Sequence, residues 1–240
     1  MTTENINTIR ILGGMSSVAT EEYYNLINKK VRHIKGGHNI AEMVIVSVNF
    51  GNIERFVRTS NWDEAADYLC EKAKIIEMSG AVCLFLATNT MHKVRDQIKA
   101  AISIPFIDIF ETVSKEIIRN GKKNIGMLGT YPVMTDPFYA DAYREYGINI
   151  ISPNEAEKKE IDRIIFDELT KNIFLPTSKD YFITVMQNLV EKGAEGIILG
   201  CTEIKLLVNQ ADVPDIPLFD TTELHCELAA NICAGIVKLE

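Results

Sequence analysis

Short apolar runs alternate along this chain with longer stretches in which apolar residues recur every three or four positions. The runs Thr8–Leu12, Glu42–Val48, Val82–Leu86, Ile104–Ile107, Asn124–Leu128, Ile148–Ile151, Gly196–Leu199 and Ile216–Phe219 have strand length and are mostly β-branched, so they predict strands. The stretches Thr20–Lys30, Asp63–Glu77, Met91–Ala100, Glu111–Arg119, Pro137–Tyr146, Glu157–Thr170, Ser178–Lys192 and Leu224–Leu239 carry the helical period. Strands that are apolar without alternation are buried on both faces. Alternating with helices, they predict an α/β fold with parallel sheets covered on both sides.

The pattern occurs twice. Gly80-Ala81, an apolar run and Thr88-Asn89-Thr90 are matched by Gly193-Ala194, an apolar run and Cys201-Thr202-Glu203. Gly80 and Gly193 are 113 residues apart, as are Thr88 and Cys201. Ile104-Pro105-Phe106-Ile107-Asp108 matches Ile216-Pro217-Leu218-Phe219-Asp220 at an offset of 112. Ile11-Leu12-Gly13 matches Met127-Leu128-Gly129 at 116, and Thr20 and Tyr24 match Thr135 and Tyr139 at 115. Blocks in one order at nearly one spacing predict an internal duplication of an α/β unit. The expected lobes are residues 1–112 with 222–240, and residues 113–221. The segment Leu224–Glu240 exceeds the second repeat and is expected to cross back onto the first lobe.

Ligands of open α/β sheets bind beyond the carboxyl ends of strands, near helix starts. Two such ends facing each other across a two-fold-like cleft would present Thr88 and Cys201 from opposite sides of one small molecule. Backbone N–H groups at the helix starts would receive a carboxylate. Thr and Asn are also good helix caps, so Thr88-Asn89-Thr90 alone has a purely structural explanation. A thiol at the equivalent place of the other repeat favours the chemical one.

Composition narrows the field. The net charge is −8 and Lys/Arg runs are lacking, which argues against nucleic acid or an anionic membrane as partner. The segment Met1–Asn7 is polar and lacks the order of a secretion signal, and the apolar runs are far too short to span a bilayer; a cytoplasmic location is the expectation. Five cysteines, an odd number in a long chain, argue against a disulfide framework. Without Cys-x-x-Cys or His-x-x-x-His spacing or a phosphate loop, neither a metal nor a nucleotide cofactor is expected. Cys70, Cys83, Cys226 and Cys233 read as small buried apolar residues.

The pieces Leu12-Gly13-Gly14-Met15-Ser16, Ala87-Thr88-Asn89-Thr90-Met91-His92, Leu199-Gly200-Cys201-Thr202-Glu203-Ile204 and Phe219-Asp220-Thr221 with His225 resemble the aspartate/glutamate racemase superfamily, in its order and over nearly the whole chain. Glutamate racemases resemble Asp-Ser-Gly and Gly-Cys-Thr-His at places that here read Gly13-Gly14-Met15 and Cys201-Thr202-Glu203. That is similar to the aspartate racemase branch, including its members of broader specificity. The resemblance implies two Rossmann-like lobes, a pseudo-two-fold cleft, catalysis without pyridoxal phosphate or another cofactor, and a homodimer. One departure stands out: the family's first catalytic residue is a cysteine, and Thr88 occupies its place.

The implied reaction removes a proton from Cα on one face and returns one on the other. Cys201 is expected to be the base, with its thiol pKa lowered by a helix start. Thr88 is expected to donate a proton more readily than it accepts one. Met15, Ser16, Asn89, Thr90, Thr130, Thr202 and Glu203 are candidates to hold the α-carboxylate and amine. Arg55, after the second strand, is the candidate for the distal carboxylate, which arginine binds bidentately. His92 reads as part of a first helical turn. Two alternatives stay open: a malonate-type decarboxylase using Cys201 alone, and a non-catalytic two-lobed protein that binds dicarboxylic amino acids. Maleate isomerase and hydantoin racemase fit less well, since their pattern also uses the first-half cysteine.

Overall fold

The computed structural model describes residues 7–80 and 82–239. The chain divides into two compact units. One holds the described residues of Met1–Ile109 together with His225–Glu240, and the other is Phe110–Leu224.

The first unit contains β1 (Ile9–Gly13), α1 (Ser17–Lys35), β2 (Met43–Ser47), α2 (Phe50–Arg58), α3 (Trp62–Met78), β3 (Leu84–Leu86), a 3-10 turn (Thr90–Val94), α4 (Arg95–Ala101) and β4 (Phe106–Ile107). Its strands form a parallel sheet in the order β2-β1-β3-β4. Alternate strand residues serve opposite faces. Ile9, Ile11, Cys83 and Phe85 pack with Tyr23, Ile27 and Val31 of α1. Leu12, Leu84 and Leu86 pack with Leu69, Ala73 and Ile76 of α3.

The second unit is entered through α5 (Ile109–Arg119) and contains β5 (Asn124–Leu128), α6 (Tyr131–Thr135), α7 (Pro137–Arg144), β6 (Asn149–Ile151), α8 (Glu155–Asp167), a 3-10 turn (Leu169–Lys171), α9 (Pro176–Glu191), β7 (Ile197–Leu199), α10 (Ile204–Leu207) and β8 (Leu218–Asp220). Its parallel sheet runs β6-β5-β7-β8, the same order as the first. The final helix, α11 (Thr221–Cys233), carries Cys226, Ala229, Ala230, Ile232 and Cys233 into the apolar layer beside Ile9 and Ile11. That burial makes the C-terminal segment part of the first unit.

The duplication extends to single hydrogen bonds. Leu12 lies opposite Leu86 in one sheet and Leu128 opposite Leu199 in the other. The Ala87 N–H donates to Leu12 O at 3.0 Å, and the Gly200 N–H donates to Leu128 O at 2.7 Å. The Thr20 hydroxyl donates to Ser16 O at 2.8 Å, and Thr135 donates to Tyr131 O at 2.7 Å. Three helices escape the sequence pattern: α2, α6 and α10. All are short, and α2 buries only Ile53 and Phe56, too few positions for a period to show.

Candidate functional site

The first unit presents its candidate groups where β1 and β3 end. Gly14 follows β1 with φ +87°, and a Cβ there would lie 2.3 Å from Val48 O, so the turn requires glycine. The Gly14 N–H donates to the Thr20 hydroxyl at 2.7 Å. The Met15 side chain is buried in the core, which leaves only its backbone to meet a ligand. Ser16 caps α1, its hydroxyl accepting from the Ala19 N–H at 3.2 Å.

Thr88, half-buried, lies two residues past β3. Its N–H donates to Leu86 O at 2.9 Å. Its carbonyl is bonded to His92 Nδ1 at 2.6 Å. Asn89 and Thr90 are also half-buried; Asn89 O accepts from the His92 N–H at 3.1 Å, which starts the 3-10 turn. His92 is fully buried, and burial pushes its pKa down to about 4. Beside it, the fully buried His225 is pushed down to about 3 by burial, so both imidazoles are neutral at pH 7.

Arg55 lies on α2. Asn49 caps this helix, its side chain accepting from the Gly51 N–H at 3.0 Å. Arg55 stacks on the Phe56 ring and pairs with Glu64 at 3.6 Å, its side chain 60% exposed. With Gly51, Glu54, Arg58 and Thr59 it lines a groove of about 350 Å³.

The second unit presents its groups where β5 and β7 end. Cys201, half-buried, donates its thiol hydrogen to Glu203 Oε2 at 3.0 Å. The same oxygen accepts from the Thr202 hydroxyl at 2.8 Å. Burial pushes the Cys201 pKa well up, and the Glu203 carboxylate and Asp162 push it further. This corrects the expectation of a lowered thiol pKa. The following helix, α10, spans only Ile204–Leu207, so its dipole is slight, and a carboxylate stands against the sulfur.

Thr130, half-buried, opens α6 with its carbonyl accepting from the Met134 N–H at 3.1 Å. The next N–H, of Tyr131, donates to Asp162 Oδ1 at 2.6 Å. Asp162 therefore sits at the end of β5, beside the strand that leads to Cys201. Sequence reasoning missed it, because a charged residue inside the amphipathic α8 looks like a solvated one. Lys205, four residues beyond Cys201, lies 3.8 Å from Asp220 and 3.7 Å from Glu223.

Within each unit the structure thus gathers what the sequence singled out: Met15, Ser16, Thr88, Asn89 and Thr90 at strand ends of one, and Thr130, Cys201, Thr202 and Glu203 at those of the other. Arg55 stands apart on α2. Among the described residues there is no grouping of three His, Cys, Asp or Glu that could hold a metal ion, and no helix is long and apolar enough to cross a membrane.

Residues 12–229 match the Asp/Glu/hydantoin racemase family. A broad-specificity amino-acid racemase of Bacillus subtilis (strain 168) is 23% identical over 218 residues, which cover 89% of this chain and 92% of that protein. A candidate Asp/Glu racemase from Yersinia pestis superposes with a TM-score of 0.89 at 37% identity, covering 95% of this chain and 99% of the other. An aspartate racemase homologue from Pyrococcus horikoshii OT3 gives 0.85 at 31% identity, with 95% and 100% covered. The chain belongs to the Asp/Glu/hydantoin racemase family.

Proposed function

We propose that this protein is a cofactor-independent racemase of amino acids of the aspartate and glutamate class, with Cys201 and Thr88 acting on opposite faces of Cα. One observation carries the reading. Thr88 and Cys201 follow equivalent strands of two sheets with the same order and register, and the thiol already hydrogen-bonds a carboxylate.

The resting Cys201 is a thiol, so it becomes a base by passing its proton to Glu203. The thiolate then takes Cα–H from the bound amino acid. The Thr88 hydroxyl returns a proton to the other face; solvent then reprotonates Thr88 and takes up the proton left on Glu203, which restores the resting state. The resulting enolate-like state needs fixed dipoles, since an electron sink is absent from this scheme. Backbone N–H groups at Met15, Ser16 and the start of α1 are suited to the α-carboxylate. Asn89, Thr90, Thr130 and Thr202 offer hydrogen bonds around Cα. Arg55 takes the distal carboxylate; its pair with Glu64 is exposed and weak, and so is readily exchanged.

The charge at the Cys201 end favours an amino acid over a malonate-type diacid. Glu203 and Asp162 attract a substrate ammonium and repel a second carboxylate held at the same carbon. An ammonium between them also offsets the charge that keeps the thiol protonated.

The test is incubation with L- and D-aspartate and L- and D-glutamate in deuterated water, read by proton NMR and chiral chromatography. Deuterium at Cα with inversion is expected. Carbon dioxide release from a malonate without amino-acid exchange would favour the decarboxylase, and tight binding without exchange would favour the binding protein.

A further inference from the structure

We propose that His92 is a positioning residue that holds Thr88 in place for its half of the reaction, acting as a neutral imidazole with its proton on Nδ1; this rests on the racemase reading. The tautomer follows from the partners. The Ile109 N–H donates to Nε2 at 3.2 Å, so that nitrogen carries a lone pair. The ring proton is therefore on Nδ1, where it donates to the Thr88 carbonyl at 2.6 Å.

Thr88 is then tied at both backbone polar groups, N–H to Leu86 O and carbonyl to His92. A threonine side chain has few rotamers, so a held backbone leaves the hydroxyl few directions. The imidazole itself cannot drift. It is fully buried, stacked edge-on against Phe106, and next to a second neutral ring, His225. His225 uses its own nitrogens up: Nε2–H donates to Ile107 O at 3.0 Å, and Nδ1 accepts from the Tyr23 hydroxyl at 2.7 Å. The charged neighbours of the pair come from the adjoining elements. Asp108, at the end of β4, is paired with Lys99 at 2.7 Å and Arg95 at 3.4 Å, so its charge is already countered. A neutral donor suits this place, because a cation beneath Thr88 would have to be desolvated in the core.

The repeat supplies a comparison. Lys205 stands 113 residues after His92 and meets Asp220 and Glu223. The side-chain clamp on the carbonyl is thus a property of the Thr88 end: the Cys201 carbonyl accepts instead from the Ile204 backbone N–H at 3.2 Å, and the Cys201 thiol has an ionisable partner, Glu203, that the Thr88 hydroxyl lacks among the described residues.

Two variants separate positioning from packing. In His92→Asn the amide nitrogen falls where Nδ1 was and keeps the Thr88 bond. In His92→Gln the amide oxygen falls where Nε2 was and keeps the Ile109 bond instead. Inversion should stay within about threefold of native in His92→Asn and fall about tenfold or more in His92→Gln, the rate equivalent of one hydrogen bond. Single-face deuterium exchange through Cys201 should persist in both, which also reports a folded chain. Nitrogen-15 NMR of the native protein should show His92 neutral and protonated on Nδ1 from pH 5 to 8. A proton on Nε2, or a charged ring, overturns the clamp. Equal inversion in the two variants, with the tautomer as assigned, overturns the positioning role alone. A native protein that neither exchanges nor inverts any amino acid overturns the racemase reading and the role together, and the NMR result then tells whether the clamp itself exists.

Discussion

The ends of β3 and β7 occupy the same place in their sheets, yet their polar groups are organised in opposite ways. At the β3 end Thr88 is held by a neutral, buried histidine through its backbone. At the β7 end Cys201 is held by a carboxylate through its side chain, and Lys205 pairs with acids nearby. One backbone frame therefore carries a group whose proton is hard to move and a group whose proton has an acceptor 3.0 Å away. A duplicated fold thus repeats geometry, while single residues decide which end carries a proton with an acceptor at hand.

The largest expected effect tests the Cys201 end. Cys201→Ala should reduce inversion, and Cα exchange of the enantiomer that the thiol deprotonates, on the order of a thousandfold, the middle of the range of general acid–base contributions. Retained exchange would move the base elsewhere. The Thr88 end comes next. Thr88→Ala should cut inversion roughly a hundredfold while leaving exchange of one enantiomer, and Thr88→Cys should raise inversion by restoring a thiol at the first end. Chiral chromatography beside NMR reads the two separately. Equal inversion by Thr88→Ala and the native protein would make Thr88 a turn residue only.

The neutral histidines sharpen the comparison in stability. Their folded pKa values, about 4 and about 3, lie below the unfolded value of about 6.5. The unfolded chain therefore binds more protons as pH falls, and stability is lost below pH 6.5 until the folded values are reached. The loss should be roughly 2 kcal/mol per histidine between pH 6.5 and pH 5. Asp108, held below the ordinary carboxylate range because Lys99 and Arg95, joined by His92 once that ring is protonated, outweigh its burial, adds a loss of the same sign at lower pH. Urea midpoints measured across this range check it; a flat profile would mean solvated or charged rings.

The smallest effect concerns the reactivity of the thiol. Glu203→Gln removes the carboxylate that helps keep Cys201 protonated. Alkylation of Cys201 at pH 7 should become measurably faster, because loss of the carboxylate lets the thiol pKa fall, while racemisation falls. Rise of the one with fall of the other separates a proton acceptor from a residue that merely packs. If both fall, Glu203 shapes the site without taking the proton.

The strand–helix alternation and the offsets of 112 to 116 residues were enough to determine an α/β fold with parallel sheets and to single out Thr88 and Cys201. These properties are local and periodic, so a linear string records them; Asn124–Leu128 was read to the residue. Helix α2 was hidden because nine residues with two buried side chains leave little periodicity. His92 looked like a turn of helix because its partners, the Thr88 carbonyl and the Ile109 N–H, are backbone groups that residue identities do not reveal. The protonation of Cys201 was decided by tertiary structure alone. Its pKa depends on how much water reaches the sulfur, on the brevity of α10, and on carboxylates from two elements, Glu203 beside the thiol and Asp162 on α8. Burial and charge act through space, and only the folded chain sets those distances.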